Sequence, residues 1–266
     1  MSRTPFPASE IASKLQSLPI DPQLALVFPG QGSQKTGMAN EVRAFSVVAA
    51  EVFAIADETL RFALSALCAD GPDEQLTNTA NAQPAILATS IAILGAAMES
   101  GALANRPAYV AGHSLGEYSA LVAAGAVTFG DALRLVRERG RLMGEAKGGT
   151  LAAVVGLEEA AVAAICAESG AEVANYNAPT QTVVGGTPEA VEKACALAKE
   201  RGGRGLPVNV SGAFHTSLMA PSAEAFAVAL NAADVQEPGL TVIGNVSAQP
   251  LGCSEDIRAD LEAQPA

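Results

Sequence analysis

Residues 107–125 read PAYVAGHSLGEYSALVAAG. The first six, PAYVAG, are a short apolar run of the kind that forms a buried strand, and the remainder has the composition of a helix. Between them stands Gly112-His113-Ser114-Leu115-Gly116. A GxSxG pattern alone is common, and a Gly-rich turn can hold a serine by chance. A strand before it and a helix after it are the context of a nucleophile elbow. The glycines relieve crowding at a sharp turn. Ser114 is pushed out at a helix N-terminus, where backbone N–H groups point at developing negative charge. This stretch places the chain in the α/β class.

Upstream, LALVF (24–28) reads as another buried strand, feeding the loop PGQGSQ (29–34). A loop at the carboxyl end of a strand lies where α/β sites form, and its glycines let backbone approach closely enough to supply a second oxyanion donor. Residues 41–67 read as helical and 84–99 as a strongly apolar helix. Thr128 and Asp131 form a capping box for a helix running through Arg141. Residues 150–209 change order: TLAAVVG (150–156), EEAAVAAICAES (158–169), VANY (173–176), TVVG (182–185), a helix opened by Thr187-Pro188, then GLPVNV (205–210). That β-α-β-β-α-β order is ferredoxin-like. The chain then continues with FHTSLMAPSAEAFAVALN (214–231) as a helix and LTVIGN (240–245) as a strand. The expected architecture is a hydrolase-like α/β core with a short parallel sheet, built from 24–149 and 210–266 and interrupted by a ferredoxin-like insertion at 150–209. Residues 1–23, punctuated by Pro5, Pro7, Pro19 and Pro22, read as an N-terminal extension.

Composition removes several function classes. With 49% hydrophobic and 17% charged residues over 266 positions, disorder is excluded for the bulk of the chain. Sixteen Lys+Arg against 28 Asp+Glu give a net charge of −12, and aromatics are 4% with no Trp, which argues against a nucleic-acid surface. The longest uncharged apolar stretch, 84–98, falls short of the roughly 18–20 residues that span a bilayer. The N-terminus lacks the apolar segment of a secretory signal. Cys68, Cys166, Cys195 and Cys253 are scattered, with no CxxC pair, and only two His are present, so no metal site is expected. Such thiols fit a reducing, cytoplasmic compartment.

A serine nucleophile needs a base. His113 adjoins Ser114, and its side chain should diverge from the serine at such a turn. His215 is the candidate by elimination, with Glu117 as a rival. An ordinary α/β-hydrolase triad runs Ser, Asp or Glu, then His. The single Asp between Ser114 and His215 is Asp131, already used as a cap, so a neutral orienter such as a carbonyl or Asn is expected instead. The helix capped by Thr128 carries Arg134, Arg137, Arg139 and Arg141; most of that run reads as a solvated face, and spacing alone singles out none of them as a site residue.

FPGQGSQ, GHSLGEYSALVAAGAVTFGDALRLVRERG, NYNAP and GAFHTSLM, in that order, closely resemble the malonyl-CoA:acyl carrier protein transacylase family, from about Leu24 to near the end of the chain. The resemblance implies an α/β hydrolase-like core with a ferredoxin-like insertion. It implies Ser114 as nucleophile, His215 as its base, and the N–H groups of Gln31 and Leu115 as the oxyanion hole. It places Arg139 where a guanidinium grips the malonyl carboxylate, Asn177 at a polar position near the site, and Phe214 where a bulky ring restricts the malonyl α-carbon. The implied substrate is malonyl-CoA and the implied partner is an acyl carrier protein, whose phosphopantetheine thiol takes the acyl group. No cofactor of the protein's own, no nucleic acid and no membrane is implied, and the form expected is a monomer. An acidic carrier would need a basic patch on this acidic chain. Arg134, Arg137, Arg141 and Lys147 offer one, and Lys193, Lys199, Arg201 and Arg204 another.

The family pattern continues past the last strand with a further strand and a Gly-rich segment, which the resemblance credits with a carbonyl that orients the histidine and a glutamine in the pocket. Here the sequence stops at Ala266. The expectation is therefore an exposed sheet edge and a histidine without its orienting carbonyl. Two other readings stand beside the transferase: a serine hydrolase or thioesterase, and a partner-dependent, catalytically weak carrier-binding form.

Overall fold

Two parallel strands from distant parts of the sequence, Ile20–Phe28 (β1) and Arg106–Gly112 (β2), pair in register from Ala25↔Tyr109 to Phe28↔Gly112. Their carboxyl ends therefore finish side by side, and the PGQGSQ loop and the GxSxG turn leave the sheet from adjacent points. The computed structural model describes residues 6–208, 210 and 212–264. It divides into two compact units, Met1–Arg141 with Val228–Leu261, and Leu142–Ala227 with Glu262–Ala266.

In the first unit the chain runs through α1 (Ile11–Gln16), β1, α2 (Asn40–Phe45), α3 (Val47–Leu60), α4 (Leu64–Asp70), α5 (Asp73–Thr77), α6 (Thr79–Ser100), β2, α7 (Gly116–Ala123) and α8 (Phe129–Glu145). After the second unit it returns with β7 (Thr241–Ile243), β8 (Pro250–Leu251) and α12 (Ser254–Ala263). The sheet order is β1-β2-β7-β8, with β1, β2 and β7 parallel and β8 antiparallel. β1 is an edge strand, and its Val27 is 73% exposed.

The expected N-terminal extension is not an appendage over its described part. Phe6, Ala8, Ile11 and Leu15 are buried, and β1 begins at Ile20 rather than Leu24. The four prolines read as an extension, yet Ile11 and Leu15 stand one helical turn apart and bury one face of α1. Residues 1–5 lie outside the described residues. The helix expected over 41–67 is three helices, because Ser46 leaves the helical region and caps α3 by accepting the Ala49 N–H at 3.0 Å. β8 and α12 were not anticipated.

α6 is the central helix of the first unit. It is long and apolar enough by composition to cross a membrane, but 78% of its most apolar window is buried inside the fold, as in a core helix. Pro84 lies within it and has no N–H for the Ala80 carbonyl. That carbonyl accepts instead from Arg137 Nη1 of α8 at 3.0 Å. Three residues along α8, Gly140 lies so close to α6 that an added Cβ would sit 2.5 Å from the Thr79 carbonyl oxygen. The two helices thus meet closely at the level of Arg139. The Thr128 cap also forms: its Oγ1 accepts the Asp131 N–H at 3.1 Å.

The second unit holds β3 (Thr150–Val155), α9 (Glu159–Ser169), β4 (Glu172–Ala178), β5 (Gln181–Gly186), α10 (Pro188–Glu200) and β6 (Arg204–Val208), followed by α11 (Ala220–Ala232), which begins in this unit. The sheet is antiparallel in order β4-β5-β3-β6, the ferredoxin-like arrangement. Strand alternation sorts its faces. Ala152, Val154 and Val184 pack with Val162, Ile165, Val191 and Ala194 of α9 and α10. Leu151 and Val183 pack with Met143, Ala213, Phe214 and Met219. The strand expected over 205–210 ends at Val208 in the structure, and Asn209 lies outside the described residues.

Candidate active site

Ser114 occupies the turn between β2 and α7 with φ +50°, a left-handed conformation that a side chain disfavours. The flanking glycines are what permit it. A Cβ at Gly112 would fall 1.9 Å from the Gly116 carbonyl carbon, and one at Gly116 would fall 2.2 Å from the Phe28 carbonyl oxygen. The elbow read from GxSxG is therefore present. Leu115 has helical dihedrals and opens α7, so its N–H belongs to the positive end of that helix. The Ser114 N–H is committed elsewhere, donating to Asn245 Oδ1 at 2.8 Å.

The PGQGSQ loop passes directly against this turn. The His113 N–H donates to the Phe28 carbonyl at 3.1 Å, and a Cβ on Gly30 would fall 2.5 Å from the His113 carbonyl oxygen. Gln31 thus stands beside the elbow, its side chain donating to Thr79 Oγ1 at 3.3 Å.

Arg139 departs from the solvated face that holds for Arg134 and Arg141 on its helix. It is 1% exposed. Its Nη2 donates to Ser114 Oγ at 3.0 Å, and its Nη1 donates to Gln83 Oε1 at 2.9 Å. The guanidinium carbon lies 5.8 Å from the centre of the Tyr118 ring. Among the described residues both hydrogen-bond acceptors are neutral, and Nε has none. Burial pulls the Arg139 pKa below its ordinary value, against the opposing pull of Tyr118 and Glu117. A buried cation held by neutral oxygens beside a nucleophile is a place for an anion.

The other arginines behave differently. Arg134 pairs with Asp131 at 2.7 Å and Arg141 with Glu138 at 2.6 Å, each within one turn and partly exposed. Arg137 is engaged with the Ala80 carbonyl, with Asn81 Oδ1 and with the Phe62 ring. In the second unit Lys193 donates to the Glu168 carbonyl and Arg201 pairs with Glu168. Both expected basic patches are therefore partly neutralised. Glu117, the rival base, is fully buried and accepts the Asn245 N–H at 3.3 Å.

His215 belongs to the second unit and is not in the helix expected from Phe214 onward. Phe214 and His215 lie in a turn before a short helical turn at Ser217–Met219, and His215 has φ +61°, which no helix accommodates. Its Nδ1 lies 2.6 Å from the Gln264 carbonyl oxygen. A carbonyl only accepts, so Nδ1 carries a proton, and in the neutral imidazole the lone pair is on Nε2. The expectation that the orienting carbonyl is missing is corrected here: Gln264 supplies one. Phe214 is buried against Met143, Leu151 and Met219. Asn177 is exposed at an irregular end of β4, where the pairing with β5 shifts register.

Three residues of these arrangements escaped the sequence reading: Gln83, Asn245 and Gln264. Gln83 sits one residue before the apolar stretch 84–98, where no local pattern marks it as a site residue. Asn245 closed a strand motif, and Gln264 lay in a terminus read as deficient. Among the described residues no group of three His, Cys, Asp or Glu is placed to hold a metal ion. The four cysteines are free thiols.

Residues 25–262 match the acyl transferase domain family. Over 251 residues the sequence is 46% identical to the malonyl CoA-acyl carrier protein transacylase of Bacillus subtilis strain 168, spanning 91% of this chain and 78% of that protein. It is 43% identical over 250 residues to the protein of the same description from Escherichia coli K12, spanning 91% and 80%. The fold is similar to that of the acyl carrier protein S-malonyltransferase of Vibrio cholerae, with TM-score 0.87 and 41% identity over 91% of this chain and 81% of that one. It is equally similar, at TM-score 0.87 and 40% identity over 91% and 80%, to a malonyl-transacylase solved in complex with its type II polyketide synthase acyl carrier protein.

Proposed function

The chain belongs to the acyl transferase domain family, among the malonyl-CoA:acyl carrier protein transacylases, and from that membership we propose how its residues divide the reaction. The protein transfers a malonyl group from malonyl-CoA to the phosphopantetheine thiol of an acyl carrier protein. The observation that carries our assignment of residues is the buried Arg139 guanidinium 3.0 Å from Ser114 Oγ. Malonyl differs from acetyl by a free carboxylate. A guanidinium fork takes that carboxylate with two parallel charge-assisted hydrogen bonds.

Ser114 Oγ attacks the thioester carbonyl while His215 Nε2 accepts its proton. The carbonyl oxygen, now an oxyanion, accepts from the N–H groups of Leu115 and Gln31, each worth about 3–4 kcal/mol in the transition state. Collapse breaks the C–S bond, and the departing coenzyme A sulfur takes the proton from His215. The malonyl group remains as an ester on Ser114. In the second half the carrier's thiol gives its proton to His215 and attacks that ester. The C–O bond breaks, and His215 returns the proton to Ser114. Gln264 keeps the proton on Nδ1 throughout, which supports Nε2 as the basic nitrogen. Phe214 limits substituents on the malonyl α-carbon, and Asn177 is a polar contact for the substrate. No cofactor resident on this chain takes part in any step; the phosphopantetheine arrives on the partner. The free thiols support a cytoplasmic site of action.

The test is incubation with malonyl-CoA and a carrier protein bearing phosphopantetheine, followed by mass analysis of the carrier. Malonyl-carrier should form, none should form on carrier lacking the phosphopantetheine, and acetyl-CoA should be a poor donor. Release of free malonate with an unmodified carrier would favour a hydrolase.

A further inference from the structure

Asn245 follows β7, and its loop is clamped from two sides. The Asp260 carboxylate of α12 accepts the N–H groups of Val246 and Ser247, each at 3.0 Å. A Cβ on Gly244 would fall 2.6 Å from Asp260 Oδ1, so the loop presses closely on that helix. On the other side the Asn245 N–H donates to the fully buried Glu117 of α7. From this fixed position Asn245 Oδ1 accepts the Ser114 N–H at 2.8 Å, across 131 residues of sequence. An N–H donates only to oxygen here, which settles the orientation of the amide.

That hydrogen bond has two consequences at the nucleophile. It holds Ser114 at φ +50°, a conformation that needs support from its surroundings. It also occupies the Ser114 N–H, leaving the Leu115 N–H as the donor that the start of α7 offers to an oxyanion.

We propose that Asn245 is a positioning residue for the acylation of Ser114: by accepting the Ser114 N–H it fixes the strained elbow so that Oγ is held for attack. The inference rests on the transferase reading given above. It acts on the rate of the chemical step, because Asn245 touches the nucleophile's backbone, not the acyl group.

The experiment measures the rate constant for malonylation of Ser114 by rapid quench and intact mass, with thermal unfolding of each variant. Malonyl-CoA affinity is measured separately in the Ser114→Ala background. Asn245→Leu keeps similar volume but has no acceptor. It should stay folded, acylate about 100-fold more slowly, as expected for a misplaced reacting atom, and bind malonyl-CoA as before. Asn245→Asp, which restores an acceptor oxygen at the same reach, should recover at least about tenfold of that loss. If Asn245→Leu does not fold, Asn245→Ser replaces it, since its hydroxyl is one bond too short to reach. Acylation by the acceptor-free variant at nearly the wild-type rate, a loss explained by weaker binding, or no recovery in Asn245→Asp would overturn the inference. An unmodified wild-type chain would instead overturn the transferase reading itself, and this inference with it.

Discussion

Arg139 and Ser114 are joined by a hydrogen bond of 3.0 Å from guanidinium Nη2 to hydroxyl Oγ, with both residues buried. The pairing puts a permanent positive charge within one hydrogen bond of the nucleophile. The guanidinium itself is anchored by Gln83 on α6 and lies near the Tyr118 ring. An acyl donor that carries its own carboxylate satisfies this cation. A donor without one leaves Nη1 and Nη2 bonded to neutral oxygens alone.

Replacement of Arg139 should therefore change selectivity more than chemistry. Arg139→Ala should lower kcat/KM for malonyl-CoA by about 2–5 kcal/mol relative to acetyl-CoA, the usual cost of stranding or removing one partner of a desolvated charge pair. Arg139→Lys should not restore the preference, because an ammonium lacks the planar fork. Gln83→Leu should cost less, about 1.5–3 kcal/mol, by removing a single charge-assisted hydrogen bond to Arg139. Steady-state kinetics with the two donors measures all three, and equal losses for both donors would remove Arg139 from carboxylate recognition.

Gln264 holds His215 Nδ1 through its main-chain carbonyl at 2.6 Å. A chain ending at Ala263 should keep its malonyl-CoA affinity yet acylate at least about tenfold more slowly, since the imidazole loses the acceptor that fixes its tautomer. Gln264→Ala, which keeps the carbonyl, should retain the rate. A rapid-quench comparison of the two variants separates main-chain from side-chain roles.

The elbow glycines are steric requirements. Gly116→Ala would drive a methyl to 2.2 Å from the Phe28 carbonyl oxygen, and Gly112→Ala would drive one to 1.9 Å from the Gly116 carbonyl carbon. Each should destabilise the protein by about 3 kcal/mol or more, because backbone rather than a mobile side chain is in the way. Gly148→Ala, where an added Cβ meets nothing within 4 Å although φ is +88°, should cost about 1 kcal/mol. Urea unfolding of the three variants tests the ranking.

Asp131 carries an acid-side signature. Burial pushes its carboxyl up, but hydrogen bonds from Thr128 and Arg134 together outweigh burial and hold it below the usual carboxylate value. A lowered native value means that the group's contribution is present above the unfolded pKa, about 3.9, and is lost as pH falls through the native value. Thr128→Ala should remove about 1 kcal/mol of cap energy at pH 7. The stability difference between wild type and Asp131→Asn should shrink below about pH 4. Unfolding midpoints from pH 7 to pH 2 check both.

What could be read from the sequence was what local chemistry determines. The GxSxG turn, the Thr128 cap and the β-α-β-β-α-β order each depend on residues a few positions apart, and each is present. Arg139 looked like one of four solvated arginines because its burial depends on α6 meeting α8 at Gly140, a contact with no local signal. Family resemblance, not spacing, singled it out. Asn245 and Gln264 act across 131 and 49 residues, through one side-chain oxygen and one main-chain oxygen. Main-chain acceptors leave no mark in residue type, so Gln264 was out of reach. The prolines before residue 23 outweighed a readable signal, the Ile11–Leu15 spacing that buries α1.

The central claim is a malonyl ester on Ser114. It is tested most directly by mixing the purified chain with malonyl-CoA, quenching in acid, and taking an intact mass with peptide mapping. The account predicts a malonyl-sized increment on the peptide containing Ser114, absent in Ser114→Ala and discharged by carrier protein bearing phosphopantetheine. A folded chain that turns over malonyl-CoA with no such increment, or with one that persists in Ser114→Ala, would contradict it.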